Sequence, residues 1–273
     1  MTAPMRPLPF APTATRLGEV ISWTCGGVAV RHADLVAALR DASLDENVAR
    51  ELAPRHAFTR ACKKLSDQRI IRQVGEDEST LRFQFTAEHR DGTLDKRTGA
   101  IQCGLPGLAT LAQEHLDRAI EARTGSDVTR VIQRLFDRHA DLFPIRPQGG
   151  CYFIPDRHTP FVDKVHAFLG RIHGELLRFP VPAGTREGDR SVKEAVAAGL
   201  AALVAEHRDA VESFGDDTRP ETIERAATRI RATRFKIESY AALLAEEKDR
   251  LDRELAAAAV QLRNRVASLA SPA

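Results

Sequence analysis

From Glu221 to about Leu269 the chain has neither proline nor glycine, and Ile223, Ile230, Ile237, Leu244 and Leu251 recur every seven residues. An apolar repeat of that period without a helix breaker predicts an α-helix whose seam is buried against another helix. A less regular second line, Ala227, Ala241, Leu255 and Leu262, accompanies it and is interrupted by Arg234 and Lys248. The spacing predicts one helix on the order of 70 Å long at 1.5 Å per residue. Before it, Ser191 can cap a helix with the apolar line Val192, Val196, Leu200, Leu203, Val211 and Phe214, stopped at Gly215. The expectation for 191–269 is therefore a long antiparallel helical hairpin or coiled coil, its second arm roughly twice the first. The first arm can cover half of the stripe; the rest of the line of Ile230, Ile237, Leu244, Leu251, Leu255 and Leu262 is expected to meet another domain, a second copy of the chain or a protein partner. The small-residue run Ala256 to Ala259 would allow close helix approach.

Upstream the pattern is mixed, so the fold class reads as mostly α (α+β). Pro4, Pro7, Pro9 and Pro12 deny helix and strand alike and make 1–16 a flexible Pro-rich tail. Over 17–103, Gly26-Gly27 between β-branched runs suggests a hairpin, and helical segments follow at 34–41, 46–53 and 54–66. Strands are expected at Arg69–Val74 and Leu81–Thr86 across a polar turn, and a third at Thr98–Cys103 beyond a charged turn holding Asp91-Gly92. Three helices followed by a two-stranded wing is the order of a winged helix. Residues 104–183 read as a small central α+β module: two helices, the second capped near Ser126-Asp127, a hairpin through Gly149-Gly150 to Cys151–Ile154, a helix at 161–172 and a closing strand at 175–181.

Forty Lys and Arg nearly balance 38 Asp and Glu, a net charge of +2, so affinity for nucleic acid or membrane must come from local patches. One candidate is Arg55, Arg60, Lys63, Lys64, Arg69 and Arg72, on the third helix and first wing strand. A winged helix presents cations there to the major groove and the phosphates. Glu76, Asp77 and Glu78 set acid at the wing tip, against that reading, and charged helix surfaces are common in any fold. A secondary basic patch, Arg225, Arg229, Arg231, Arg234 and Lys236, could hold phosphate, or be a solvated face neutralised by acids of the preceding helix.

Cys25, Cys62, Cys103 and Cys151 form no C-x-x-C pair and read as buried thiols of a reducing cytoplasm. Gly149 to His158 contains Cys151 and His158, but no triad pattern surrounds them, and a buried cysteine is the simpler reading. There is no H-E-x-x-H, G-x-x-x-x-G-K-[ST], G-x-G-x-x-G or G-x-S-x-G, so no catalytic residue, metal or cofactor is assigned. No apolar run of about eighteen residues suggests a membrane span, and none suggests a signal peptide.

The runs Leu17–Trp23, Asp127–Phe136 and Gly149–Ile154 resemble a family of bacterial and bacteriophage proteins of unknown function. The resemblance implies a setting in phage or mobile-element biology and no activity. The sequence thus predicts a non-enzymatic adaptor binding DNA or RNA through the winged-helix-like module and a protein partner or itself through the C-terminal helices. The alternative is a purely structural oligomeric scaffold or phage-related assembly protein with only protein contacts.

Overall fold

The structure is a computed structural model and describes residues 15–65, 71–146, 148–215 and 218–270. Most of the expected tail, 1–14, lies outside them. In chain order the first elements are β1 (Arg16–Thr24), β2 (Ala29–Arg31), α1 (His32–Asp41), α2 (Pro54–Leu65), β3 (Ile71–Glu76), β4 (Thr80–Phe85), β5 (Arg90–Asp95) and β6 (Ile101–Cys103). Next come α3 (Pro106–Glu121), β7 (Ala122–Thr124), α4 (Gly125–His139), β8 (Phe143–Pro144), β9 (Tyr152–Pro155) and α5 (Thr159–Arg171). The last are β10 (Glu175–Pro182), α6 (Arg186–Glu212), α7 (Pro220–Ser239), α8 (Ala241–Leu244) and α9 (Glu246–Ala270). Helix dominates, with small sheets, as the mostly α (α+β) class requires.

The chain divides into two compact units that alternate along the sequence. One comprises Met1–Ser22, Asp141–Thr159 and Leu177–Ala273, and the other Trp23–Ala140 and Pro160–Leu176. We call them the bundle unit and the meander unit.

In the meander unit β3, β4, β5 and β6 form a four-stranded antiparallel meander. Alternation along β4 puts Leu81, Phe83 and Phe85 on one face, where they share a core with Ala57 and Phe58 of α2 and Leu108, Ala112 and Leu116 of α3. The Phe58 and Phe83 rings lie 4.8 Å apart and those of Phe83 and Phe85 5.5 Å. Two features depart from the expected winged helix. The second helix is a single 3-10 turn, Glu46–Val48, and the expected charged turn at Asp91-Gly92 is the strand β5. Gly92 looks like a turn residue because it has no side chain, yet here a Cβ would lie 2.5 Å from the Phe83 ring, so the glycine makes room for an aromatic. The core also runs across the boundary expected at 103/104, since α3 packs on α2.

The Gly26-Gly27 turn does not close a hairpin. β2 pairs antiparallel with β7, Ala29 opposite Thr124 and Arg31 opposite Ala122, whereas β1 pairs with β9. α4 starts two residues earlier than a cap at Ser126 suggests: Thr124 is the N-cap, and Asp127 closes a capping box by accepting from the Thr124 backbone N–H at 2.9 Å. Its expected apolar line Val128, Val131, Ile132, Leu135 and Phe136 is buried.

In the bundle unit the sheet order is β10-β1-β9-β8. The expected hairpin through Gly149 and Gly150 is present as β8 and β9, with Phe143 opposite Phe153. Both glycines have positive φ, +73° and +81°, which side chains rarely adopt. Glu19 on β1 is buried and accepts two bonds from Arg178 of β10, at 2.6 and 2.9 Å.

The C-terminal third differs most from expectation. The breaker-free segment is not one helix: α7 ends at Ser239, α8 makes one turn, and α9 folds back so that α6, α7 and α9 pack pairwise. The lengths are 27, 20 and 25 residues, so no arm is left half uncovered. Ile230, Ile237, Leu244, Leu251, Leu255 and Leu262, expected to face a partner, are buried with Val196, Leu200 and Val204 in the core of the bundle. The heptad repeat is satisfied within the chain, because folding back buries the same stripe without a second molecule. Ala245 carries the corner at φ +43° and ψ −110°, a conformation costing about 1–3 kcal/mol in a residue with a side chain.

Candidate functional site

The corner is held by a buried carboxylate. Asp141, just before β8, accepts on Oδ2 from Arg157 at 2.5 Å and from the Tyr240 hydroxyl at 2.8 Å. His158 Nε2 lies 3.2 Å from the same oxygen, and Lys236 Nζ reaches Oδ1 at 2.8 Å. Arg157 also donates to the Tyr240 oxygen at 2.7 Å and stacks its guanidinium 4.7 Å from the ring centroid. Phe143 meets that ring edge-on at 5.2 Å. Burial alone would raise the Asp141 pKa, but its side-chain hydrogen bonds with His158, Lys236, Tyr240 and Arg157 outweigh it and hold the carboxyl well below the usual range. Burial, with the Asp141 charge, pushes the Tyr240 hydroxyl up. Both carboxylate oxygens are engaged, which makes the cluster an anchor. It fixes Tyr240 at the end of α7 and so sets where α9 turns back.

The return of α9 along α7 creates a groove of about 390 Å³. Ala227, Ile230, Ala259 and Leu262 form its floor, and Arg231 and Arg234 of α7 and Arg263 of α9 line its sides. No carboxylate pairs with any of the three among the described residues. One turn beyond Arg231 on the same helix, Phe235 is 75% exposed, and Val266 is exposed one turn beyond Arg263. Arg225 and Arg229 border a smaller recess between α6 and α7, of about 160 Å³, with Glu206 and His207. The secondary basic patch therefore divides. Lys236 turns inward to Asp141, while Arg231 and Arg234 flank the apolar groove.

The first basic set does not come together as one surface. Arg55 pairs with Glu76, its Nε 2.9 Å from Oε1. Arg60 donates twice to Asp127, at 2.8 and 2.6 Å, locking α2 to the start of α4. Burial raises the Asp127 pKa, yet Arg60 and the Thr124 donors bring it down to about 2. Arg72 is exposed on β3 opposite Gln84, on the outer face of the meander that also carries Arg82, Thr93 and Gln102. Arg69 lies outside the described residues, as do the side chains of Lys63 and Lys64. Cys151 and His158 are not joined, since His158 is directed to Asp141. The cysteines are free thiols, and burial pushes Cys62 up to about 12. Among the described residues no group of three or more His, Cys, Asp or Glu could hold a metal ion, and no helix is long and apolar enough to cross a membrane.

Asp141, Tyr240 and Arg263 were not singled out by sequence. Asp141 and Tyr240 are 99 positions apart, so no local spacing links them, whereas Arg263 could have been found by extending the heptad phase past Leu262. The model of a protein family described as "Family of unknown function (DUF6744)" matches residues 16–272. No curated protein and no solved structure matches the chain.

Proposed function

The chain belongs to this family of unknown function over nearly its whole length, and we propose that it is a non-enzymatic adaptor whose α7/α9 groove holds an acidic amphipathic helix of a protein partner. One observation carries the reading: an apolar floor between two helices is flanked by three arginines that have no carboxylate partner among the described residues. A helix laid in a groove anchors through residues at i, i+3, i+4 and i+7, and the floor of Ala227, Ile230, Ala259 and Leu262 fits such a stripe. The cations on the sides select acidic flanks, and Phe235 and Val266 extend the apolar contact.

Fluorescence anisotropy tests this with two labelled helical peptides sharing one leucine stripe, one flanked by Glu and one by Lys. Saturable binding of the Glu peptide, lost in Arg231→Glu/Arg234→Glu and absent with the Lys peptide, is the expected outcome. Equal affinity for both peptides, or none for either, sinks the proposal.

A second reading is favoured by the outer face of the meander, where Arg72 and Arg82 lie among hydrogen-bonding Gln84, Thr93 and Gln102. There the same adaptor binds DNA or RNA. A duplex titration whose affinity falls steeply with salt and drops in Arg72→Glu/Arg82→Glu supports it, and salt-insensitive or absent binding removes it. The pure scaffold reading, including assembly in a phage setting, remains for a protein that binds neither probe yet self-associates on light scattering.

A further inference from the structure

A second site lies in the meander unit, where the chain passes from α3 through β7 into α4. Arg123, the middle residue of β7, is only 5% exposed. Its Nη1 donates to the carbonyls of Ile120 at 2.6 Å and Ala122 at 3.0 Å, and no carboxylate pairs with it among the described residues. Asp127 and Glu51 act on it by charge without bonding to it, and Asp127 is held by Arg60 through both oxygens. A buried guanidinium without an ion-pair partner is costly, and it points to a counter-charge from elsewhere.

Arg123 lines a cavity of about 340 Å³ together with the start of α1, at His32 and Ala33. This ten-residue helix has Arg31 as its N-cap, with no side-chain hydrogen bond to its first turn. The first N–H groups of a helix carry partial positive charge and favour an anion. The acid of that turn, Asp34, is taken by Arg31 in two bonds at 2.8 and 2.9 Å. The Nδ1 of His32 is buried without a hydrogen-bond partner. Glu51 and Glu121 also line the cavity, and Leu52 supplies an apolar wall.

From this convergence we infer that the cavity between Arg123 and the uncapped start of α1 binds a small organic anion through a single carboxylate or phosphate group. The anionic group sits between the free N–H groups of Arg123 and the first turn of α1, and the rest of the molecule lies against Leu52. Glu51 and Glu121 repel a polyanion, so nucleic acid and nucleoside triphosphates are excluded by the same walls. The volume is at the low end of small-molecule pockets, which sets the ligand at the size of a phosphorylated three-carbon unit or a short carboxylic acid.

The experiment is isothermal titration calorimetry of the full chain with inorganic phosphate, glycerol phosphate and propionate in turn. Saturable one-site binding of a phosphate or of the carboxylate is expected, and the stronger one identifies the natural headgroup. Arg123→Gln should weaken it at least tenfold. Because a buried arginine can be needed for folding, a second variant uses exposed Ala33: Ala33→Glu places a carboxylate at the start of α1 and should abolish binding in a protein of unchanged circular dichroism. The inference is overturned if none of the three anions binds to the wild type, or if Ala33→Glu binds as the wild type does.

Discussion

Two arginine-bearing regions, α2 with the meander and α7 with α9, the first the leading basic candidate in the sequence and the second the lesser, came out in the reverse order in the fold. Around α2 the structure supplies acids, so that Arg55 faces Glu76 and Arg60 is clamped by Asp127. Along α7, Asp141 takes Lys236 and Glu206 shares a recess with Arg225 and Arg229, while Arg231 and Arg234 stand beside an apolar floor. A cation's role thus follows from which carboxylates the tertiary fold brings near. Paired arginines hold elements together, and unpaired ones beside exposed apolar surface are left to act on something else.

Substitutions can break this contrast, beginning with the largest effect. Asp141→Ala removes the acid around which Arg157, His158, Lys236 and Tyr240 gather, and should cost about 3–5 kcal/mol in chemical denaturation. A loss under about 1 kcal/mol would show that the cluster is not what fixes the corner. Arg60→Ala leaves Asp127 half-deserted and should cost about 1–3 kcal/mol, read from the same experiment. Ala245→Gly relieves the positive φ at the corner and should stabilise by about 1 kcal/mol; destabilisation would indicate that α9 does not turn back there. Arg231→Ala and Arg234→Ala should leave the midpoint of denaturation unchanged, since neither has an ion-pair partner to lose among the described residues.

Acid sharpens the same comparison. Asp141 and Asp127 both have folded-state pKa values below the ~3.9 of a free aspartate, so each binds its proton less readily when folded. Their stabilisation is therefore complete above about pH 5 and is lost as the pH falls through the unfolded value toward the folded one. Denaturation followed from pH 6 to pH 2 should show stability falling with acid, and Asp141→Asn should flatten that slope. An unchanged slope in the variant would mean that Asp141 does not titrate between the two states.

Local structure was legible wherever a signal was short-range. The period of β4, the apolar line of α4 and the Gly149-Gly150 hairpin follow from neighbouring residues, and each is found. Failures came where a long-range partner decided. The heptad line from Ile223 to Leu251 is a correct burial pattern, but nothing in it says whether the covering helix belongs to the same chain, and Tyr240 bonding to Asp141 settles that from 99 residues away. Gly26-Gly27 turns the chain, yet the partners of β1 and β2 are chosen by β9 and β7, more than ninety positions on. Of the candidate sites, Arg231 and Arg234 of the groove were visible within a basic cluster, while Arg263 was not singled out and Arg123 in its three-residue strand offered no pattern at all.

The alternation of the two units along the sequence has a consequence during synthesis. The meander unit is complete once residue 176 has emerged, so its core can close while the remainder is still being made. β1 is among the first strands out, but its partner β9 follows well over a hundred residues later; Ser22 hydrogen-bonds Gly150 across 128 positions. Until then the apolar side of β1 is exposed to any edge it meets, and a ribosome stalled between Ala140 and Tyr152 would carry an unmatched strand ready to aggregate.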